Sequence, residues 1–433
     1  MMCKRERRIW FYGALIGLLS MALLLCGCAQ GVNTVSEATG LVAFAKIAAG
    51  ADYVVVIKQD GSLWGWGRND GGQVGVGDTE DRHSPVKVMD DVVSVAAGGK
   101  SSFAIKTDGS LWGWGSNDEG QLGVGDEDDR HSSVEVMDDV VSVVAGYSHG
   151  LAIRSDGSLW SWGKNDYGQL GIGDRTTKYS PVKVMDDVVS VAAGGGHSFA
   201  LKADGSLWGW GNNGSGRLGV GDAECEYSPV KIMDDVASIA VGGGTSFAIK
   251  QGGSLWAWGW NEYGQLGVGD TENRYNPIKI MDDVALISAS GRHSLAIKVD
   301  GSLWAWGDNE YGQVGVGDTE DRHSPVKVMD DVVSVAAGGK SSFAIKTDGS
   351  LWGWGSNFRG LLGIGVPGMQ LSPVKLMDDV VDISVPSWGA MYSIAIKADG
   401  SLWAWGSNDE GQLGVGDEDD RYSPVKVMDG FVK

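Results

Sequence analysis

The tetrapeptide Gly-Ser-Leu-Trp begins at Gly61, Gly109, Gly157, Gly205, Gly253, Gly301, Gly349 and Gly400, spaced 48 residues apart six times and then 51. A chain that repeats at such a period folds as one supersecondary unit stacked many times, because a single unit cannot bury its own apolar face. A second marker, G-[QRL]-[LV]-G-[VI]-G, runs from Gly72 to Gly411 and again gives eight units. Residues 72–117 recur unchanged at 312–357, the mark of a recent duplication.

Each unit reads as β-structure. Val92–Ala97 is an apolar, β-branched run that ends at Gly98-Gly99. Ser102-Phe-Ala-Ile-Lys106 follows, then Asp108-Gly109, then Ser110-Leu-Trp-Gly-Trp114. Asp-Gly between two apolar runs marks a hairpin, since both turn positions favour positive φ. A loop is expected from Asn117 to Ser132, with a fourth strand at Val134-Glu-Val136 before Met137-Asp138-Asp139 turns the chain. No stretch has a helical period. Four short antiparallel strands repeated radially describe a propeller blade. The expected fold is therefore all-β, a single β-propeller of four-stranded antiparallel blades, eight by count. Trp112 and Trp114 lie two residues apart, so both rings leave one face of their strand, and a seam between blades would bury them. The closing Met428-Asp-Gly-Phe-Val-Lys433 restarts the unit, so this end is expected to meet the amino-terminal strand near Leu41–Ala49 and close the ring.

The first residues read as an address. Lys4, Arg5, Arg7 and Arg8 form a basic segment, and Ile9–Gly27 carries no charge. That is the pattern of a secretory signal, with an uncleaved anchor as the alternative. The run ends in Leu25-Cys26-Gly27-Cys28, which resembles the bacterial lipobox, with small Gly27 just before the cysteine. Cys28 is the expected lipid-attachment site, since bulky Leu25 makes Cys26 a poorer one. The reading divides the chain into a signal peptide at 1–27, a lipidated anchor and linker at 28–40, and a propeller at 41–433. One acylated cysteine tethers without spanning, which places the body outside the cytoplasmic membrane. Cys225 is then alone, with no disulfide framework and no cysteine metal site. A net charge of −21 repels nucleic acid and anionic headgroups, which argues against a nucleic-acid partner.

Gly195-Gly-His-Ser-Phe-Ala-Leu-Lys-Ala-Asp-Gly-Ser-Leu-Trp-Gly-Trp-Gly-Asn212, followed by Gly216-Arg-Leu-Gly-Val-Gly221, resembles the regulator-of-chromosome-condensation (RCC1-like) repeat. The resemblance extends over about 41–433 and implies a propeller, with seven blades the family norm. It also implies protein contact rather than a shared chemistry. Members act in nucleotide exchange on a nuclear GTPase, chromatin docking, ultraviolet sensing and inhibition of β-lactamase. An exported chain would not meet a nuclear GTPase, and the light sensor's Trp-Arg motif is absent here.

Catalytic patterns do not survive comparison between units. Gly146-Tyr-Ser-His-Gly150 matches the nucleophile elbow but aligns with Gly98-Gly-Lys-Ser-Ser102, a β-turn in the neighbouring copy. His83, His131 and His323 alternate with Tyr179, Tyr227, Tyr275 and Tyr422, which reads as aromatic packing. His149, His197 and His293 share a place with Ser101, Thr245 and Ser341, read as a polar turn. Asp126-Glu-Asp-Asp129 and Asp417-Glu-Asp-Asp420 are acidic but lack the alternating spacing of a calcium loop, so solvated charge is the preferred reading over calcium. The expectation is a chain that is not an enzyme and has neither cofactor nor metal.

Strand parity puts the Asp-Gly and Met-Asp-Asp turns on one face, as a ring of carboxylates, and the Gly-Gly turns and long loops on the other. There the repeat breaks. The loop 358–371 loses its acidic cluster, and the next unit carries the insertion Pro386-Ser-Trp-Gly-Ala-Met-Tyr392. Phe358, Arg359, Met369, Trp388, Met391 and Tyr392 are thus the candidate partner-binding residues, with Trp260 on the same face two blades away. The expected function is a non-enzymatic protein-binding module at the cell envelope. A carbohydrate or cell-wall ligand is the alternative, and exchange-factor activity rests on family similarity alone.

Overall fold

The computed structural model describes residues 46–386 and 391–431, together with the backbone of Gly27–Cys28. It contains eight antiparallel sheets, each made of four strands consecutive in the chain. Blade 1 holds Ile47–Ala49, Tyr53–Ile57, Leu63–Gly67 and Arg82–Met89. Blades 2 to 8 follow at 92–137, 140–185, 188–233, 236–281, 284–329, 332–377 and 380–429. The sheet of blade 8 is extended by Gly27–Cys28, which pairs parallel to Ser384–Val385. Eight is the blade number the repeat count predicts.

First strands of neighbouring blades touch all the way round, including that of blade 1 against that of blade 8, so they ring the centre. Fourth strands form the half-exposed rim. The rim strand is longer than the sequence suggests, spanning Arg130–Met137 in blade 2 rather than starting at Val134. Proline ordinarily argues against a strand, but an edge strand tolerates it, and Pro85, Pro181 and Pro325 all lie inside rim strands.

The seams carry the packing. Tyr53, Val55, Ile57 and Leu63 of blade 1 meet Val92, Val95, Ala104 and Trp114 of blade 2, with Trp112 against the same cluster. Equivalent clusters fill the other seams. Trp114 is fully buried, and its indole Nε1 donates to the Gln73 carbonyl of the preceding blade at 2.9 Å. The equivalent bond recurs in all eight blades, from Trp66 to the Gln412 carbonyl through Trp405 to the Leu361 carbonyl. The long loop of each blade lies over the next blade's indole. Gly75 shows the constraint: its φ is +83° and a Cβ there would stand 2.7 Å from Trp114. Beyond it, Gly77 N–H donates to the His131 carbonyl at 2.8 Å, and this link also recurs in every blade.

Closure uses the same parts. Gly416 N–H donates to the His83 carbonyl at 2.7 Å, and Gln59 N–H to the Gly430 carbonyl at 2.8 Å. Phe431 joins one cluster with Ile47 and Ala49, so the carboxyl end meets the first strand as the sequence predicts, with 41–45 outside the described residues.

Of each tryptophan pair, only the second ring is fully buried. Trp112 is half-buried, bonds Ser110 Oγ at 2.9 Å and lies under Lys106, 4.6 Å from the ring centre. Replacing Trp114 with Ala is expected to lower stability by about 3–5 kcal/mol, the cost of emptying a large core site. Trp112→Ala should cost clearly less. Urea unfolding checks both; equal losses would contradict the division of labour within the pair.

Candidate binding face

The chain trace confirms the parity of the two faces. Val140 N–H bonds the Gly109 carbonyl, joining the Met-Asp-Asp and Asp-Gly turns on one side, while Ser116 N–H bonds the Lys100 carbonyl on the other. On the first side the carboxylates are largely engaged. Asp108 accepts Ser110 N–H and Oγ–H, and Lys87 pairs with Asp90 at 2.7 Å. The half-buried indoles on this side carry a cation over the ring in every blade. A sugar stacking there would have to displace a lysine or arginine.

The long loops of the opposite face are organised by a buried asparagine. Asn117 accepts Leu122 N–H, donates Nδ2 to the Asp126 and Asp128 carbonyls, and donates its own N–H to Asp129 Oδ1 at 2.7 Å. Asp126 in turn accepts Arg130 Nη2 at 2.6 Å and Asp128 N–H at 3.0 Å. The Arg130 guanidinium, then the backbone donor, hold its carboxyl below the usual range. These oxygens order a loop, which leaves few lone pairs for a cation. Among the described residues no group of three His, Cys, Asp or Glu is placed to hold a metal.

The histidines sort into two sites. His131 and its equivalents lie along the rim strands, where their carbonyls take the Gly77-type N–H and their rings cover loop glycines. His149, His197 and His293 are not turn residues, a correction to the sequence reading. Each opens a second strand and is fully buried. Tyr53 and Tyr392 occupy the same place in blades 1 and 8. These side chains plug the seam toward the next blade: His149 Nε2 meets Ser198 Oγ at 3.0 Å, and His293 Nε2 meets Ser342 Oγ at 2.9 Å. The Gly146–Gly150 segment is a β-turn entering a strand, without the helix a nucleophile elbow requires.

The candidate partner residues divide. Phe358 and Met369 are 61% and 51% exposed on the blade 7 loop. Val366, which sequence reasoning missed, is 60% exposed beside them; its signal was the loss of the aspartate that the other loops carry there. Arg359 sits at φ +54° and reaches into blade 8, donating to Ser407 Oγ at 2.9 Å and to Asp409. It is a tie between blades rather than a free cation. Met391 is half-buried, and its carbonyl accepts Ser407 N–H at 2.8 Å, which places it next to that tie. Tyr392 leaves the patch: it is fully buried and donates its hydroxyl to the Gly50 and Tyr53 carbonyls of blade 1 at 3.0 Å. The insertion lengthens the preceding turn, so Tyr392 falls on the strand. Trp260 is half-buried in blade 5, edge-on to Tyr263 at 5.5 Å, and does not join the group. Trp388 and the side chain of Cys28 lie outside the described residues.

A closed ring of eight blades whose body repeats and whose loops vary on one face defines a propeller scaffold. The chain belongs to the RCC1-like domain family: that model matches residues 29–295 and 188–433. Yeast RCC1 (Prp20), solved bound to Kap60, is similar at 21% identity and a TM-score of 0.62, over 88% of this chain and 98% of that one. Human WBSCR16 is similar at 24% identity and a TM-score of 0.60, over 74% and 94%. A second structure of Prp20p from Saccharomyces cerevisiae, described with its binding properties to Gsp1p and histones, gives 22% and 0.60, over 79% and 94%. At this identity the likeness establishes the fold. No curated protein sequence matches.

Burial pushes His149 and His293 down to about 4 and His197 to about 3. The unfolded chain takes up these protons near pH 6.5, the folded chain only at about 4 for His149 and His293 and about 3 for His197, so the unfolded state gains protons first. Stability should be full above about pH 6.5 and fall as the pH drops toward 4. A His149→Ser, His197→Thr, His293→Ser variant, carrying residues other blades use at this place, should lose most of that slope in thermal melts across this window. An unchanged slope would contradict the assignment.

Proposed function

We propose that this chain is a non-enzymatic binding module, tethered at the outer side of the cytoplasmic membrane through lipid on Cys28, that engages a protein by the blade 7 loop. The observation that carries the reading is the exposure of Phe358, Val366 and Met369 together on one loop of a strongly acidic molecule. Contiguous exposed apolar side chains mark contact surfaces. The loop is also held firmly: Asn357 N–H bonds the Gly368 carbonyl at 2.7 Å, and Arg359 anchors it to blade 8. A rigid apolar loop loses little entropy on binding. Prp20, a protein of the same fold, binds protein partners, which supports the class of ligand without naming it. The capping of the half-buried indoles by lysine and arginine weighs against the carbohydrate alternative.

Two variants of the full chain test this. Cys28→Ala should abolish incorporation of labelled fatty acid and release the protein from the membrane fraction. Phe358→Ser combined with Met369→Ser should leave folding intact and eliminate a discrete cross-linked protein adduct formed by the parent at the envelope. An adduct that persists unchanged would refute the loop as the contact; retained label would refute the anchor.

A further inference from the structure

Seventeen tryptophans are described, and sixteen of them fall into two patterns. Eight are fully buried and donate the indole N–H to a carbonyl of the preceding blade. Eight are half-buried, donate to a serine hydroxyl and lie under a lysine or arginine. Trp260 follows neither. Other blades carry a polar or charged residue at its place, Lys164 and Ser407 among them. Its ring is half-buried, yet among the described residues its Nε1 meets no acceptor and no cation stands over it. Nor does it belong to either core cluster that flanks blade 5. A tryptophan offers a large apolar face and one donor, and here neither serves the fold.

The surroundings of the ring are fixed by direct contacts. Trp260 follows the strand Leu255–Gly259, and its backbone N–H donates to the Gly244 carbonyl at 3.0 Å. The side chain lies over that glycine, where a Cβ would stand 3.3 Å from Trp260 Cβ. Tyr263 stands at right angles to the indole, with 5.5 Å between ring centres. Arg292 of blade 6 covers the tyrosine, 4.6 Å from its centre, and has Asp308 at 3.8 Å. From the preceding blade comes the turn Gly214–Gly216, which packs against Leu255–Gly259. Elsewhere this loop tip lays a long side chain on the residue that matches Trp260: Glu119 pairs with Lys164, and Arg359 donates to Ser407 Oγ at 2.9 Å. At this seam the tip is Gly214-Ser215, with no long side chain to lay over the indole.

We propose that the uncovered indole of Trp260, with Tyr263 and Glu262 on the same loop tip, is a carbohydrate subsite that stacks an uncharged pyranose ring. A β-linked pyranose presents a flat face of axial C–H groups to an aromatic ring and carries hydroxyl groups around its rim. The Nε1–H can donate to one hydroxyl, and Glu262, exposed and without an ion pair among the described residues, can accept from another. A cationic ligand is disfavoured by Arg292, which already occupies the Tyr263 ring. A proline-rich peptide needs a groove lined by aromatic rings, which the perpendicular Trp260–Tyr263 pair under Arg292 does not provide. The cations that cover the indoles of the opposite face are absent here, so a sugar displaces none. The site is two blades from the Phe358 loop and stands or falls separately from that contact.

Titration of the full-length protein, followed at the indole N–H resonances by nuclear magnetic resonance, tests the site. The probes are the tetramers of β-1,4-linked N-acetylglucosamine and of β-1,4-linked glucose. The one indole resonance that Trp260→Ala removes should move saturably with at least one tetramer while the other indoles stay in place. Binding of the acetylated tetramer alone would assign the acetamido group to the ligand, and binding of both would mean that the ring face suffices. Trp260→Ala should weaken binding roughly tenfold or more in calorimetry, and Trp260→Phe, which keeps a ring without the donor, by less. Trp260→Ala should also keep the thermal midpoint of the parent, because this side chain packs into no core cluster. A Trp260 resonance that neither tetramer moves at millimolar concentration overturns the proposal, as does equal affinity in the parent and Trp260→Ala. A shift with a polyproline peptide and with neither sugar overturns it in favour of a peptide ligand.

Discussion

The bond from each buried indole N–H to a carbonyl of the preceding blade is the interaction on which the rest of this molecule depends. A blade has two apolar faces and cannot be stable alone, so the seams must be both packed and registered. Area burial packs them, but apolar contact is non-directional. The Trp114 indole adds direction: its ring fills the seam while its one donor is satisfied only by the Gln73 carbonyl. An unsatisfied buried N–H would cost about 1–3 kcal/mol, so any other register is penalised at every seam. The glycines of the long loop follow from this bond, since the loop must lie against the indole to present that carbonyl.

Once the seams are set, the loops of one face are the only part free to differ. Their default form is a small device in which a buried asparagine and a ring of aspartates and arginines satisfy one another. Function in such a scaffold lies where that device is abandoned. Blade 7 abandons it for apolar residues, with the Gly368 carbonyl replacing the aspartate that accepts the asparagine N–H in blades 1, 2, 6 and 8. Blade 4 abandons its tip in the same way, with Glu224 supplying the carbonyl. Both loops form a short 3-10 turn, Phe358–Gly360 and Gly214–Gly216, with a non-glycine residue at positive φ. The same chain thus carries an apolar departure in blade 7 and, in blade 4, a tip that has lost its acidic residues.

Periodicity alone exposes the blade count, the strand order, the parity of the faces and the paired tryptophans, because these are properties of a unit repeated eight times. What it hides are relations between units. Arg359 looks like a free cation in sequence and is bonded to blade 8 in space. Tyr392 looks like part of an insertion. Counting back from the Asp399-Gly400 turn would have aligned it with Tyr53 and His149, on a buried strand. The buried histidines were misplaced for the same reason, a one-residue uncertainty in where the second strand begins. The rim strand reaches back to Arg130 in blade 2, where the polar run Arg-His-Ser-Ser carries no alternating apolar signal.

Hydrogen exchange at the indole N–H groups, resolved by nuclear magnetic resonance, tests the central claim most directly. Trp66, Trp114, Trp162, Trp210, Trp258, Trp306, Trp354 and Trp405 should exchange slowly as one set, while their half-buried partners exchange fast. Trp66 decides the matter, because its acceptor Gln412 lies at the far end of the chain. Protection at Trp66 equal to the others is the result predicted for a closed ring of eight clasps. Rapid exchange at Trp66 alone would mean that the last seam is open, and rapid exchange across the set would mean that the indole bonds do not hold the blades.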